Sequence, residues 1–419
     1  NVAGCAEMPR LTRLLDVPYN NCGSLVCAFS EGEVGALREL YERGQINGVA
    51  GLEIVSGERA RELEPALSDK VFAALWAPTA GIVCPYELCI AAGESAAQNG
   101  CDFYFYFPVD GIKQRDGYLT AYSRGREISA RYIVNAAGVN AAQIARLAGE
   151  DDFPLEIIPR RGEYALLDKG KGPRVGRVLF MCPTERGKGI LVSPTVDGNV
   201  IVGPNARRVE SGTDTSTTGE GLEEVYEGGR RLVPTISPRD AITQFAGVRA
   251  TPTTGDFYVR PSERVPGLLH LAGIESPGLA SSPALSRAAV ELLGEMGLEL
   301  IENPEADMSR PEKIRFKHLG ADEKNALIRR NPSYGRIICR CETITEGEIL
   351  DAIRRPIGAR SIDMVKRRVR AGMGRCQGGF CSPRVAELLA EELGIPLGEV
   401  TKKGCGSEIT PREYGTDGE

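Results

Sequence analysis

Residues 267–293 read GLLHLAGIESPGLASSPALSRAAVELL. An apolar run, LLHLA, stops at Gly273, Gly273 and Gly278 bracket a turn, and a stretch rich in Ala and Leu follows at helical spacing. The segment therefore reads as strand, tight turn, helix, with the helix's first amides turned toward an electron-rich ring or a phosphate chain. A second segment, RYIVNAAGVNA (131–141), repeats the pattern: an apolar strand runs into Ala136, Ala137 and Gly138, with the polar Asn140 behind them. A backbone passing close to a ligand's phosphate or ribose and an ordinary strand-to-helix turn explain that segment equally well.

Around these two segments, from Asn21 to about Ile301, short β-rich runs such as SLVCAF (24–29) and NVIVGP (199–204) alternate with Ala-rich helical stretches. A helix is expected after Pro85, over YELCIAAGESAAQNG, followed by a strand over CDFYFYFPVDGI (101–112). Residues 302–335 are charged and carry three prolines, so they read as a linker with one short helix. The length of 419 residues suits two or three domains. A net charge of −6 gives no overall pull toward nucleic acid or an anionic membrane. No run of 18 apolar residues and no signal-peptide layout is seen, so the expectation is a soluble, cytoplasmic protein.

The last 85 residues read as a separate helical unit. Thr345 and Glu348 form a capping box for EGEILDAIRR, which Pro356 ends. Ser361 caps SIDMVKRRVRA with Gly372 as its stop, and Ser382-Pro383 opens PRVAELLAEEL, closed by Gly394. Four of the chain's 12 cysteines lie here, in CRC (339–341) and GRCQGGFC (374–381). Cys339 and Cys341 form C-x-C, and 34 residues later Cys376 and Cys381 form C-x4-C. Structural zinc halves usually space their cysteines by two to four residues, and C-x-C is tighter. A cluster with two metal atoms lets each sequence pair take its own iron. Between Cys339 and Cys381 nine Lys/Arg stand against five Asp/Glu, which suits an anionic centre. The spacing favours a [2Fe-2S] cluster over a zinc staple, with idle thiols third. The other eight cysteines read as buried or idle thiols.

This unit resembles the bacterioferritin-associated-ferredoxin-like [2Fe-2S] domain, and by that resemblance Cys339, Cys341, Cys376 and Cys381 are the cluster ligands. The larger part is similar to the D-amino-acid-oxidase-like superfamily of FAD enzymes, in its glycerol-3-phosphate dehydrogenase and L-2-hydroxyglutarate oxidoreductase branch. Five segments carry the likeness: PTAGIVCPYEL (78–88), RYIVNAAGVNA (131–141), IPRRGEYALLD (158–168), FAGVRATP (245–252) and LHLAGIESPGLASSPALS (269–286). The implied fold is an α/β flavoprotein, a Rossmann-like FAD-binding part with an antiparallel substrate-domain sheet over residues 1–301. A linker (302–335), a helical [2Fe-2S] domain (336–390) and a C-terminal tail (391–419) follow.

No strand leading into G-x-G-x-x-G occurs in the 419 residues. The resemblance expects that βαβ unit ahead of Asn1, so the Rossmann-like part is expected to be N-terminally incomplete and this chain alone to bind FAD weakly or not at all. The resemblance places Val109 near the adenine and Ala136, Ala137 and Gly138 near the cofactor's middle. Gly273, Ile274, Pro277, Gly278, Leu279 and Ala280 fall near the ribityl chain and isoalloxazine. Arg249 falls at the family's substrate-binding arginine, with Arg161 and Tyr164 as further candidates and Arg160 as the alternative to Arg161. Arginine is the preferred fork for carboxylate or phosphate.

The implied reaction is oxidation of a small anionic alcohol, glycerol 3-phosphate or a 2-hydroxy acid, with electrons leaving through the cluster. Gly273-Ile274-Glu275 stands where glycerol-3-phosphate enzymes often have Gly-Gly-Lys, which leaves room for the 2-hydroxy acid. No catalytic base is assigned: His318 lies in the linker and His270 reads as a core histidine, so the base is expected upstream or as water. The expected partner is an electron-acceptor protein or subunit, steered by the basic strip 366–370, with membrane association only through that partner. The competing reading is a non-catalytic electron-transfer module whose flavoprotein part is inert.

Overall fold

The computed structural model describes residues 1–183 and 189–410, so the end of the expected tail, 411–419, lies outside the described residues. The chain forms two compact units. Residues 1–11, 19–82 and 104–304 make the first, and residues 12–18, 83–103 and 305–419 the second.

The first unit is built on a nine-stranded sheet. Its centre is the strand Ile157–Leu167, IIPRRGEYALL, paired along its whole length with Ala241–Pro252 on one edge. The other edge meets Arg207–Arg208 near its start and Val200–Val202 near its end. The sheet continues through Leu191–Pro194, Val178–Met181, Ser24–Ala28, Ala73–Ala77 and Glu53–Ser56. One face is apolar: Leu25, Leu167, Leu179, Val192 and Val202 bury against Val225 and Leu232 of the helix Gly219–Leu232. Leu167 and Val202 are fully buried. Removing two or more methylenes from either leaves a cavity as well as the lost transfer energy.

A three-stranded sheet carries both segments that opened the reading. Leu268–Ala272 runs parallel to Ile133–Asn135 and antiparallel to Tyr258–Pro261. The helices Ala141–Leu147 and Gly278–Glu295 pack on Leu268–Ala272. Each strand therefore runs into a turn and a helix as read from the pattern, and the first unit is a mixed α/β fold. The strand expected over 101–112 is a correction: residues 101–110 hold no regular element and the strand is Gly111–Arg115. Alternation alone does not make a strand, which needs a ladder partner. Tyr106 turns left-handed at φ 54, Pro108 offers no N–H, and Tyr104, Phe105 and Tyr106 stay exposed.

The second unit confirms the capping residues. Thr345 and Glu348 form the reciprocal capping box of Glu346–Arg354, and Ser361 Oγ accepts from the Met364 amide at the start of Ile362–Val369. That helix stops earlier than Gly372 suggested, because Arg370 itself takes the left-handed position at φ 68. Cys381 rather than Ser382 is the N-cap of Ser382–Leu393, and Gly394 closes it at φ 64. Ile349, Val365, Leu388 and Leu389 form the core with Cys339 and Cys381.

The helix Pro85–Gln98 and residues 305–320 belong to the same unit. Buried ion pairs explain why. Glu94 sits 2.9 Å from Arg310 Nη1 and 3.0 Å from Arg355 Nε. Glu87 takes Lys313 Nζ at 2.9 Å and Arg315 Nη2 at 3.0 Å, while Arg315 Nη1 reaches Asp16 at 2.8 Å. Burying such charges costs several kcal/mol per ion unless each is paired, so the pairs specify one arrangement of residues 310–316 rather than a free tether.

Candidate functional site

Strand alternation decides which arginine faces where. Arg161 and Glu163 point to the side covered by Gly219–Leu232. Arg161 Nη1 donates to Asp214 Oδ2 and Ser216 Oγ, both at 2.7 Å, and Nη2 to Glu163 Oε1 at 3.2 Å. Glu163 is fully buried and also accepts from the Thr218 amide at 2.8 Å. Arg161, the named sequence candidate, is thus engaged in holding the sheet to its helix.

Arg160, Gly162 and Tyr164 point the other way, paired in register with Arg249, Gly247 and Phe245. These three rows make a trough. At one end Tyr164 and Phe245 stack, with ring centroids 5.0 Å apart. In the middle Gly247 leaves a bare floor, with nothing within 4 Å of where its Cβ would stand. At the other end Arg249 leans over Gly162, where a Cβ would stand 2.7 Å from its Nη2. Arg249 donates to the Tyr164 hydroxyl and makes only long contacts, 3.4 and 3.5 Å, to the Asn205 carbonyl. Burial pushes the Tyr164 hydroxyl above its ordinary value while Arg249 pulls against it, so the tyrosine stays neutral and able to donate.

Both glycine turns border the strand that carries Arg249. The 3-10 turn Gly138–Asn140 packs against Ala241–Pro252 and Ile157–Leu167. Gly138 is left-handed at φ 57 with open space before it. Asn135 holds the turn from behind: Oδ1 accepts from the Ala137 amide at 3.3 Å, and Nδ2 donates to Ala141 O at 2.8 Å. The second turn presses on the strand's end, since a Cβ on Gly273 (φ 64) would stand 2.6 Å from Pro252. Thr251 donates to Glu275 Oε2 at 2.6 Å, and Ile274 closes over Gly278. Beside this turn a cavity of about 470 Å³ is lined by Pro252, Glu275, Ser276, Pro277 and Ser281, a size suited to a small molecule or part of a cofactor. Leu279 is exposed, Ala280 half-buried, and Ala136 and Ala137 follow Asn135 directly. Val109 packs with Ile112, Leu119, Val265 and Leu268.

His270 is a core residue, as its apolar strand implied. It is fully buried, with Nδ1 3.2 Å from Asn135 Nδ2 and Nε2 3.1 Å from Glu150 Oε2. Burial lowers its pKa from the ordinary value against the pull of Glu150. Sequence reasoning missed the acids that anchor this part, Glu150 and Glu163, because an acid inside a polar stretch carries no sign of burial.

In the second unit the four cysteines converge, and they pair across the two motifs rather than within them. Cys341 Sγ lies 3.6 Å from Cys376 Sγ, and the Cys381 thiol hydrogen-bonds Cys339. Two thiolates on one tetrahedral metal with ~2.3 Å bonds sit about 3.8 Å apart. The close sulfur pairs of this structure thus each join one cysteine from each turn.

The backbone is shaped for sulfur. The Gly372 and Glu342 amides point at Cys339, and those of Gly378 and Phe380 at Cys376. With the Cys381 thiol first among the causes, they hold Cys339 down to about 6. A Cβ on Gly374 would stand 2.2 Å from Cys341 Cβ, so only glycine admits this approach. Cys339 and Cys381 are buried while Cys341 is exposed and Cys376 partly so, which turns one pair to the surface. The basic strip 366–370 is not a free patch. Arg368 donates to Ile357 O at 2.6 Å, Arg370 pairs with Glu342 at 2.9 Å, and Arg367 is the exposed member.

Residues 4–292 match the family of FAD dependent oxidoreductases, and residues 337–391 match the BFD-like [2Fe-2S] binding domain. The chain is 44% identical to a glycerol 3-phosphate dehydrogenase of Caloramator mitchellensis over 98% of its own length and 85% of the relative's. It is 28% identical to the mitochondrial L-2-hydroxyglutarate dehydrogenase of Mus musculus, over 69% of this chain and 74% of that one. The structure of dithionite-reduced L-alpha-glycerophosphate oxidase from Mycoplasma pneumoniae, with FAD bound, superposes with a TM-score of 0.70 at 29% identity. That match covers 75% of this chain and 83% of that one.

Proposed function

We propose, since the chain belongs to the FAD-dependent oxidoreductase family and carries a BFD-like [2Fe-2S] domain, that it oxidises the secondary alcohol of glycerol 3-phosphate and releases the electrons through the cluster. One observation carries the substrate half of this reading. Arg249 stands in the trough between the two glycine turns without an acidic partner among the described residues. A buried or half-buried cation left unpaired is costly unless an anion comes to it. The relative named for glycerol 3-phosphate, 44% identical along nearly the whole chain, supports the same substrate.

When bound, FAD supplies a two-electron acceptor and the [2Fe-2S] cluster a one-electron relay. The chain's own residues do the rest. Arg249 fixes the anionic end of the substrate, with Tyr164 donating beside it. The stacked Tyr164 and Phe245 rings wall the other end. Gly138 leaves backbone that a flat ring can approach closely, while Gly273 and Gly278 let the second turn pack tightly against Pro252 and Ile274. His270 takes no part in moving the substrate proton, because it is fully buried in the core beside Asn135 and Glu150. The surface-facing pair Cys341 and Cys376 marks the side at which an acceptor protein takes electrons. No helix among the described residues is long and apolar enough to cross a membrane.

The test is anaerobic mixing of the FAD-loaded protein with glycerol 3-phosphate, L-2-hydroxyglutarate and glycerol, followed by flavin absorbance. Bleaching within one turnover by glycerol 3-phosphate, and not by glycerol, is expected. Bleaching by L-2-hydroxyglutarate alone would reassign the substrate. An oxidised flavin in all three mixtures would leave the chain an electron-transfer module.

A further inference from the structure

The trough carries more positive charge than one anionic group needs. The strand Ile157–Leu167 lies between Arg207–Arg208 and Ala241–Pro252, and the register sets Arg208 opposite Arg160 and Arg160 opposite Arg249. Residues directly paired in antiparallel strands project to one face with Cβ atoms about 5 Å apart. Three arginines therefore stand in a row across three strands. The neighbouring row, Arg207 and Arg161, projects to the other face.

The two rows are treated differently by the fold. Arg207 is paired with Glu220 at 3.0 Å and Glu224 at 3.2 Å, and Arg161 with Asp214 and Glu163. Arg208, Arg160 and Arg249 form no ion pair with any described residue, although like charges set directly opposite each other destabilise a sheet. Arg208 is exposed, whereas Arg160 and Arg249 are half-buried. The row thus runs from the solvent edge to the bare floor at Gly247, with the Arg249 guanidinium over Gly162.

We infer that Arg160 is a second substrate-binding residue, which with Arg249 selects a doubly charged group, while Arg208 extends the field to the entrance. This rests on the reading of Arg249 as the anion-binding arginine. It goes further by assigning the charge class of the substrate to a residue on the neighbouring strand. A phosphate ester and the second carboxylate of a 2-hydroxy diacid share that chemistry, since each offers more acceptor oxygens than one guanidinium can fill. A monoanion such as lactate fills only one.

The experiment is steady-state kinetics of the FAD-loaded full chain with glycerol 3-phosphate, L-2-hydroxyglutarate and L-lactate, with inorganic phosphate as competitor. Arg160→Gln is expected to raise the KM for the dianion that is turned over, and the Ki of phosphate, by about 10- to 100-fold, the range for hydrogen bonds to charged groups. kcat should stay within about twofold, since the interaction is made equally in ground and transition states. Arg160→Lys restores the charge without the fork and should recover part of the loss. Whichever dianion is turned over identifies the source of the second charge. A dianion KM and phosphate Ki unchanged in Arg160→Gln would overturn the inference. If Arg249→Gln still damages turnover in that case, the reading of Arg249 stands; if it is also silent, both fail.

Discussion

Replacing Cys381 with serine should leave the protein without its iron-sulfur centre and without a folded second unit. Cys381 is at once the proposed ligand, the N-cap of Ser382–Leu393 and a member of the buried core. That core is small, and four backbone amides are aimed at Cys339 and Cys376. A metal centre in so small a unit supplies folding energy directly, on the order of 10 kcal/mol for a structural site. Iron and sulfide in purified Cys381→Ser should fall to near zero, the visible charge-transfer absorbance should vanish, and the unit's thermal transition should disappear. Cys405→Ser, an exposed thiol outside the constellation, serves as the control and should retain all three. Full iron content in Cys381→Ser would show that the converging sulfurs are not the ligand set.

Arg249→Met should lower kcat/KM for glycerol 3-phosphate by about 100- to 1,000-fold, the loss expected when one partner of a desolvated, hydrogen-bonded charge pair is removed. The fold should tolerate the change, because Arg249 anchors no buried acid and donates only to Tyr164 and, at long range, to Asn205 O. Arg161→Met is expected to do the reverse. It would strand the fully buried Glu163 without its cation, a loss of about 3–5 kcal/mol in stability. Melting curves and kinetics on the two variants therefore separate the arginine that binds from the arginine that braces. Equal kinetic damage with equal stability in both would contradict the assignment of faces.

That pair also marks the limit of what the sequence could tell. IPRRGEY announces a strand with arginines, but which arginine faces the trough follows from register, and register is set by the partners across the sheet. The neutralising acids come from far along the chain: Asp214, Glu220 and Glu224 lie 53, 13 and 17 positions from the arginines they hold. The cysteines were legible because C-x-C and C-x4-C are local and chemically restrictive. Their pairing across the two turns was not, since it depends on how Cys339 at a strand end meets Cys381 at a helix start. The caps at Thr345 and Ser361 were legible for the same local reason. The aromatic run 103–107 misled because it has the alternation of a strand but no ladder partner among the described residues. Residues 310–316 read as a linker because charge and proline usually mean solvent. Here Arg310, Lys313 and Arg315 meet Glu87, Glu94 and Asp16 instead.

The measurement that bears most directly on the whole account is low-temperature electron paramagnetic resonance of the FAD- and cluster-loaded protein, frozen anaerobically at intervals after glycerol 3-phosphate is added. The account predicts that the signal of a reduced [2Fe-2S] centre grows in as the substrate is consumed, and that it fails to appear in Arg249→Met at the same concentration. A flavin reduced by substrate beside a cluster that stays silent until dithionite is added would contradict it.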